Sequence, residues 1–181
     1  MLIQTYHQWL HLPKEIQHRF NLSECTRVPR INNTDAQPEK CLDNAERYIQ
    51  HNGGKLIFGW MVTCLDKRVL RLVGHVIVNN EVHGDVCVSR DKFPTEVIAF
   101  SCDESIRKAA IETRYLPTRF IALSADKCTL ELTQLETEIE TLRHQNSVGI
   151  LAAPLDNGWS EYVSHRRQVI LNEILFGTPE D

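Results

Sequence analysis

The stretch GHVIVNNEVHGDV, residues 74–86, reads as two short strands around a polar turn. Valine and isoleucine suit a pleated strand, and asparagine suits the turn. With Asn79, Asn80 and Glu81 as a three-residue loop, Val78 faces Val82, Ile77 faces His83, Val76 faces Gly84, and His75 faces Asp85. Directly opposed residues hold their Cβ atoms about 4.5–5.5 Å apart on one face of a sheet. This register makes an imidazole and a carboxylate neighbours. A slip of one residue would put them on opposite faces.

Working outward, KLIFGWMVTCL (55–65), VLRLVGHVIV (69–78), VHGDVCVS (82–89) and TEVIAFSC (95–102) are rich in valine, isoleucine and aromatic residues and are separated by polar turns. They predict an antiparallel sheet of three to five strands. Before them, EKCLDNAERYIQHNGG (39–54) carries Leu42, Ala45, Tyr48 and Ile49 at helical spacing and ends on Asn52, Gly53 and Gly54, residues that supply a left-handed cap. Cys41 therefore falls in the first turn of a helix. RVPRINNTDAQPEK, without periodicity, is the loop that leads to it. The first thirty residues place Trp9, Leu10, Leu12, Ile16 and Phe20 at helical spacing, with Pro13 suited to a first turn, and predict one or two short helices.

The chain returns to helices in DESIRKAAIET (103–113), in a long run from about 124 to 146, and in SEYVSHRRQVILNEIL (160–175). In the long run Cys128, Leu132, Leu135, Ile139 and Leu142 form a stripe about two heptads long, shorter than a coiled coil sustains. The stripe suits a helix laid on a neighbour, or, as the sharper option, a partner-binding or dimer helix. The basic spot SHRRQ (164–168) reads as a solvated helix face.

These elements make an α+β protein. At 181 residues the chain fits one domain, with a helical N-terminal segment (1–35), a helix-and-sheet centre (36–102) and C-terminal helices (103–181). Twenty basic residues against 24 acidic ones give a net charge of −4, which argues against a nucleic-acid-coating protein. No window reaches the roughly 18 apolar residues of a membrane span, and the N-terminus lacks the pattern of a secretory signal, so no membrane partner and a cytoplasmic location are expected. The six cysteines are spread singly, without a CxxC pair, and reduced thiols are the simpler expectation.

A carboxylate beside one ring nitrogen fixes a histidine's tautomer and leaves the other nitrogen to serve a nucleophile. A thiol at the positive end of a helix dipole, near such a histidine, has its thiolate favoured. Cys41, His75 and Asp85 are thus the parts of a cysteine acyl-transfer site, in which no metal and no cofactor is called for. The order of KCLDNAERYIQHNGG, FGW, GHVIV and GDV, over about residues 36–90, resembles the papain-like and transglutaminase-like superfamily: a loop, a cysteine opening a helix, then histidine and aspartate on successive antiparallel strands. The resemblance implies Cys41 as nucleophile, His75 as general base and acid, and Asp85 as the orienting residue, with Gln37 on the preceding loop as a side-chain oxyanion donor. It departs from the family pattern in lacking aromatic neighbours after the histidine. Small bacterial effectors that deamidate a glutamine of a host protein are similar in size and residue order. They imply a protein or peptide substrate and delivery into a host cell.

Each residue has a plainer reading. Cys41 as a lone cysteine would be a core filler, and His75 opposite Asp85 would be a cross-strand pair. Trp60 alternates with Phe58 and Val62 and belongs to sheet packing, or walls a substrate groove with an exposed edge. His83, Asp85 and Cys87 share a strand face, but alternate residues stand about 6.6–6.8 Å apart and converge poorly on one metal ion. The competing function is a non-catalytic interaction module that binds a partner through Leu132, Leu135, Ile139 and Leu142. No Walker loop, dinucleotide fingerprint or HExxH is present.

Overall fold

The computed structural model describes residues 6–31, 36–37, 40–90, 95–147 and 157–177. Residues 32–35, 38 and 39, in the loop before Cys41, lie outside them. The fold is α+β with an antiparallel sheet, and the chain divides into two compact units. The first comprises residues 1–63 and 72–116, and the second residues 64–71 and 117–181.

In the first unit the elements run β1 (His7–Gln8), α1 (Lys14–Arg19), β2 (Thr26–Pro29), α2 (Cys41–Asn52), β3 (Lys55–Leu65), β4 (Val69–Asn80), β5 (Gly84–Val86), β6 (Val97–Cys102), a 3-10 turn at Glu104–Ile106 and α3 (Arg107–Thr113). The far ends of β3 and β4 belong to the second unit. The strands follow the order β2-β6-β3-β4-β5, with β1 on β3. Beyond β5 the edge returns to its beginning: the Cys87 N–H donates to the Pro29 carbonyl at 2.9 Å, and the Ile31 N–H donates to the Cys87 carbonyl at 3.0 Å. These bonds bring the two ends of the strand order together. Val28, Ile77, Cys87, Ile98 and Phe100 form a buried cluster from these strands, with Ile57 and Met61 packed against it.

The expectation of three to five strands is corrected to seven. The additional strands are short: β1, β2 and β7 (Thr118–Ala122) have two, four and five residues. Period-two alternation is hard to see over such lengths. β2 lies in the stretch read as loop and contains Pro29, which cannot donate to a ladder and tends to mark strand ends or edges.

Two close approaches need glycine. A Cβ on Gly59 would stand 2.2 Å from the Ser101 carbonyl oxygen, where β3 crosses β6 at the Gly59–Cys102 pair. At Gly54, with φ near +112°, a Cβ would stand 2.7 Å from the Asn79 carbonyl oxygen. The turn from α2 into β3 thus runs tightly against β4.

The second unit joins the tip of the β3–β4 hairpin to β7, α4 (Lys127–Ser147) and α5 (Asn157–Phe176). Asp126 caps α4 by accepting from the Thr129 N–H at 3.0 Å. Leu132, Val163, Ile170, Leu171 and Ile174 are buried in the unit. Arg166 forms a bidentate pair with Glu131, and Arg167 bonds Glu136 at 2.7 Å, while Ser164, His165 and Gln168 of the basic spot are exposed. Among the described residues no helix is long and apolar enough to cross a membrane.

Candidate active site

Cys41 is the first residue of α2 and is partly exposed. The helix forms here because its buried residues, Leu42, Asn44 and Ala45, line one side of the first turn. Its N-cap, Lys40, makes no side-chain cap hydrogen bond. Asn44, 1% exposed, fastens the upstream loop: its Oδ1 accepts from the Gln37 N–H at 2.9 Å, and its Nδ2 donates to the Gln37 carbonyl at 2.7 Å. Arg47 donates to the same Oδ1 at 2.8 Å. Gln37 is exposed, and its main chain, four residues before the thiol, is held to the helix that carries it.

His75 lies within β4 and is 5% exposed. Its Nε2 and the Sγ of Cys87 share a hydrogen bond at 3.2 Å, and the Cys41 thiol lies near enough to act on the ring. Burial favours the neutral imidazole, but the Cys87 and Cys41 thiols beside it prevail and push its pKa up to about 10. For Cys87 burial pushes the thiol up, and the adjacent His75, with a backbone bond at Ser89 and the Arg30 guanidinium, overcomes this and holds it down at about 7. The structure therefore places Cys41 and Cys87 beside His75.

Asp85 is not part of this contact. β4 and β5 pair as Val78–Val86, Asn79–Asp85 and Asn80–Gly84. The loop is Glu81–His83, two residues later than expected, which moves each partner four residues along the returning strand. Asp85 stays on the face of His75 but sits opposite Asn79, four residues or about 13 Å along β4. There its Oδ1 accepts from Asn79 Nδ2 at 2.6 Å. The cause lies in the turn: Asn80 Oδ1 accepts from the His83 N–H at 2.7 Å, and Gly84 adopts φ near +65°, the left-handed position that closes a three-residue hairpin loop. Gly84 was the available sequence signal. Extending the same register by one residue places Cys87 across from Ile77 and diagonal to His75.

Of the two readings of Trp60, sheet packing is the one that its burial fits. It is 1% exposed and donates its indole N–H to Asp103 at 2.8 Å, so it is a core residue and walls no groove. His83 is exposed in the turn, and among the described residues no group of three or more His, Cys, Asp or Glu is arranged to hold a metal ion. Leu132 and Leu135 of the α4 stripe are buried, while Ile139 and Leu142 are partly so.

All six cysteines are free. Burial, with Glu24 nearby, pushes Cys25 up to about 11, and burial likewise takes Cys64 up to about 11. Cys102 is raised by burial and by neighbouring acids, and Cys128 by its hydrogen bond to Glu173. Compared with known proteins, the chain matches no family model, no curated protein and no solved structure.

Proposed function

We propose that this chain is a cysteine-dependent acyl-transfer enzyme, an amidohydrolase whose nucleophile is Cys41 and whose general acid and base is His75. The observation that carries the proposal is the partly exposed thiol on the first residue of α2, which lies close enough to the buried imidazole of β4 to act on its proton. In this mechanism the Cys41 thiolate attacks the carbonyl carbon of an amide. The oxyanion is received by backbone N–H groups of the first helical turn, which have no intrahelical acceptor. His75 delivers a proton to the leaving nitrogen as the C–N bond breaks, leaving a thioester. The imidazole then takes a proton from the water that hydrolyses it, and Cys41 is released.

The resemblance of residue order to the papain-like and transglutaminase-like superfamily supports an amide as the acyl donor, and the side-chain amide of a glutamine in a protein or peptide is the substrate class proposed. Cys41 on the first residue of α2 and His75 within β4 are the observations that support that order. Its third part, the aspartate, is displaced. Incubation with a glutamine-containing protein, followed by mass spectrometry of substrate and enzyme, tests the proposal. Amide-to-acid conversion in wild type that is lost in Cys41→Ser, with an acyl group trapped on the Cys41 peptide, is the expected result. Conversion that survives in Cys41→Ser would overturn it.

A further inference from the structure

The proposed mechanism leaves one group at the site without a role. Cys87 is fully buried, its N–H donates to the Pro29 carbonyl at the end of β2, its carbonyl accepts from the Ile31 N–H just beyond, and its Sγ lies 3.2 Å from Nε2 of His75. A thiol enclosed in this way cannot meet a substrate, whereas Cys41 can. Two thiols thus share one imidazole, one at the surface and one in the core. They do not converge with it into a metal-holding cluster.

We propose that Cys87 is the positioning residue of this site: its buried sulfur, hydrogen-bonded to Nε2 of His75, holds the imidazole for Cys41 in the role that a carboxylate fills in a Cys-His-acid triad. The inference rests on the Cys41–His75 reading above and assigns the third member that Asp85 does not supply. The sulfur is suited to the role by its surroundings. As thiolate, with its proton released to solvent, it accepts the Nε2–H of the ring and leaves Nδ1 to take the proton of Cys41. Among the described residues, the charged and titratable groups facing the pair are Arg30 beside Cys87 and Cys41 beside His75. The Arg30 cation favours the thiolate, and a thiolate in turn favours the protonated ring. With Nε2 engaged by Cys87, Nδ1 is the ring's other proton site. Asn79 satisfies Asp85 elsewhere, so that carboxylate does not compete.

The test uses the full chain with isotope-labelled histidine and follows the His75 ring by NMR against pH in wild type, Cys87→Ser and Cys87→Asp. Serine keeps the size and hydrogen-bonding capacity of the thiol but does not ionise in this range. The His75 midpoint is expected to fall by about one pH unit or more in Cys87→Ser, and to stay high in Cys87→Asp, which restores an ionised partner. A His75 midpoint in folded Cys87→Ser within about 0.3 of wild type would overturn the role. A second measurement needs no change at Cys87: in Cys41→Ser, ultraviolet thiolate absorbance is expected to show one thiol titrating below the ordinary thiol range, held down by His75. Absence of that step overturns the proposal even where the Cys87 variants fail to fold. Failure of the underlying reading looks different, because Cys41 would then be indifferent to His75 while the Cys87–His75 titration remained.

Discussion

A thiol and an imidazole act on each other's protons only within hydrogen-bonding reach, so at the scale of single residues the decisive quantity is strand register. His75 and Cys87 meet because β4 and β5 pair through Val78–Val86, and Asp85 is carried away from the histidine by the same pairing. Asp85→Asn is therefore expected to leave the alkylation rate of Cys41 within about twofold of wild type, measured by peptide mass spectrometry; a tenfold fall would mean that the carboxylate serves the site after all. Cysteine and histidine were legible in the sequence, since a cysteine opening an amphipathic helix and a histidine on a valine-rich strand each announce their element. The third member was not. Asn79-Asn80 looks like a turn by composition, but Asn80 uses its side chain to close the loop that follows, and Gly84 is the residue that takes the left-handed conformation. Moving the loop by two residues preserves the face and changes the partner.

At the scale of elements, α2 is held as a carrier for Cys41 by contacts on both sides of its first turn. Asn44 clamps the Gln37 main chain, and Arg114, just after α3, pairs with Glu46 at 2.7 Å and with Asp43. Ion pairs this exposed contribute little, so the buried amide of Asn44 is the stronger tether. Asn44→Ala is expected to cost about 1–3 kcal/mol by thermal or denaturant unfolding and to speed hydrogen exchange at the Gln37 N–H, whose acceptor it removes. Within β3, Gly59→Ala would press a methyl group onto the Ser101 carbonyl, and a loss of about 3 kcal/mol or more is expected from the same measurement. The long elements were readable: KLIFGWMVTCL spans β3 from end to end, and the helix from Cys41 stops at its glycines. The short strands escaped because tertiary pairing, not local pattern, creates them. β2 is defined by its ladder with β6 and by the bonds from its end to Cys87.

At the scale of the whole molecule, Cys41, His75 and Cys87 all belong to the first unit, and the α4–α5 pair belongs to the second. The sequence stripe on α4 was legible as an apolar face, but periodicity alone does not say whether a neighbour within the chain or another protein covers it. Leu132 and Leu135 are covered within their own unit, where Glu131 and Glu136 meet Arg166 and Arg167. Leu132→Ala is expected to destabilise this unit by about 2–5 kcal/mol, seen as faster hydrogen exchange in α4 and α5, while the alkylation rate of Cys41 is unchanged. A parallel loss of Cys41 reactivity would show that the site depends on the second unit.

The most direct test of the central claim, that Cys41 and His75 act as a pair, is the alkylation rate of each cysteine against pH in wild type and in His75→Ala, read by peptide mass spectrometry. Cys41 is expected to react fastest of the six, with Cys25 and Cys64 held back by thiols raised to about 11, and to lose its advantage near neutral pH by about tenfold when the imidazole is removed. Equal rates at Cys41 in the two proteins across the pH range would contradict the account.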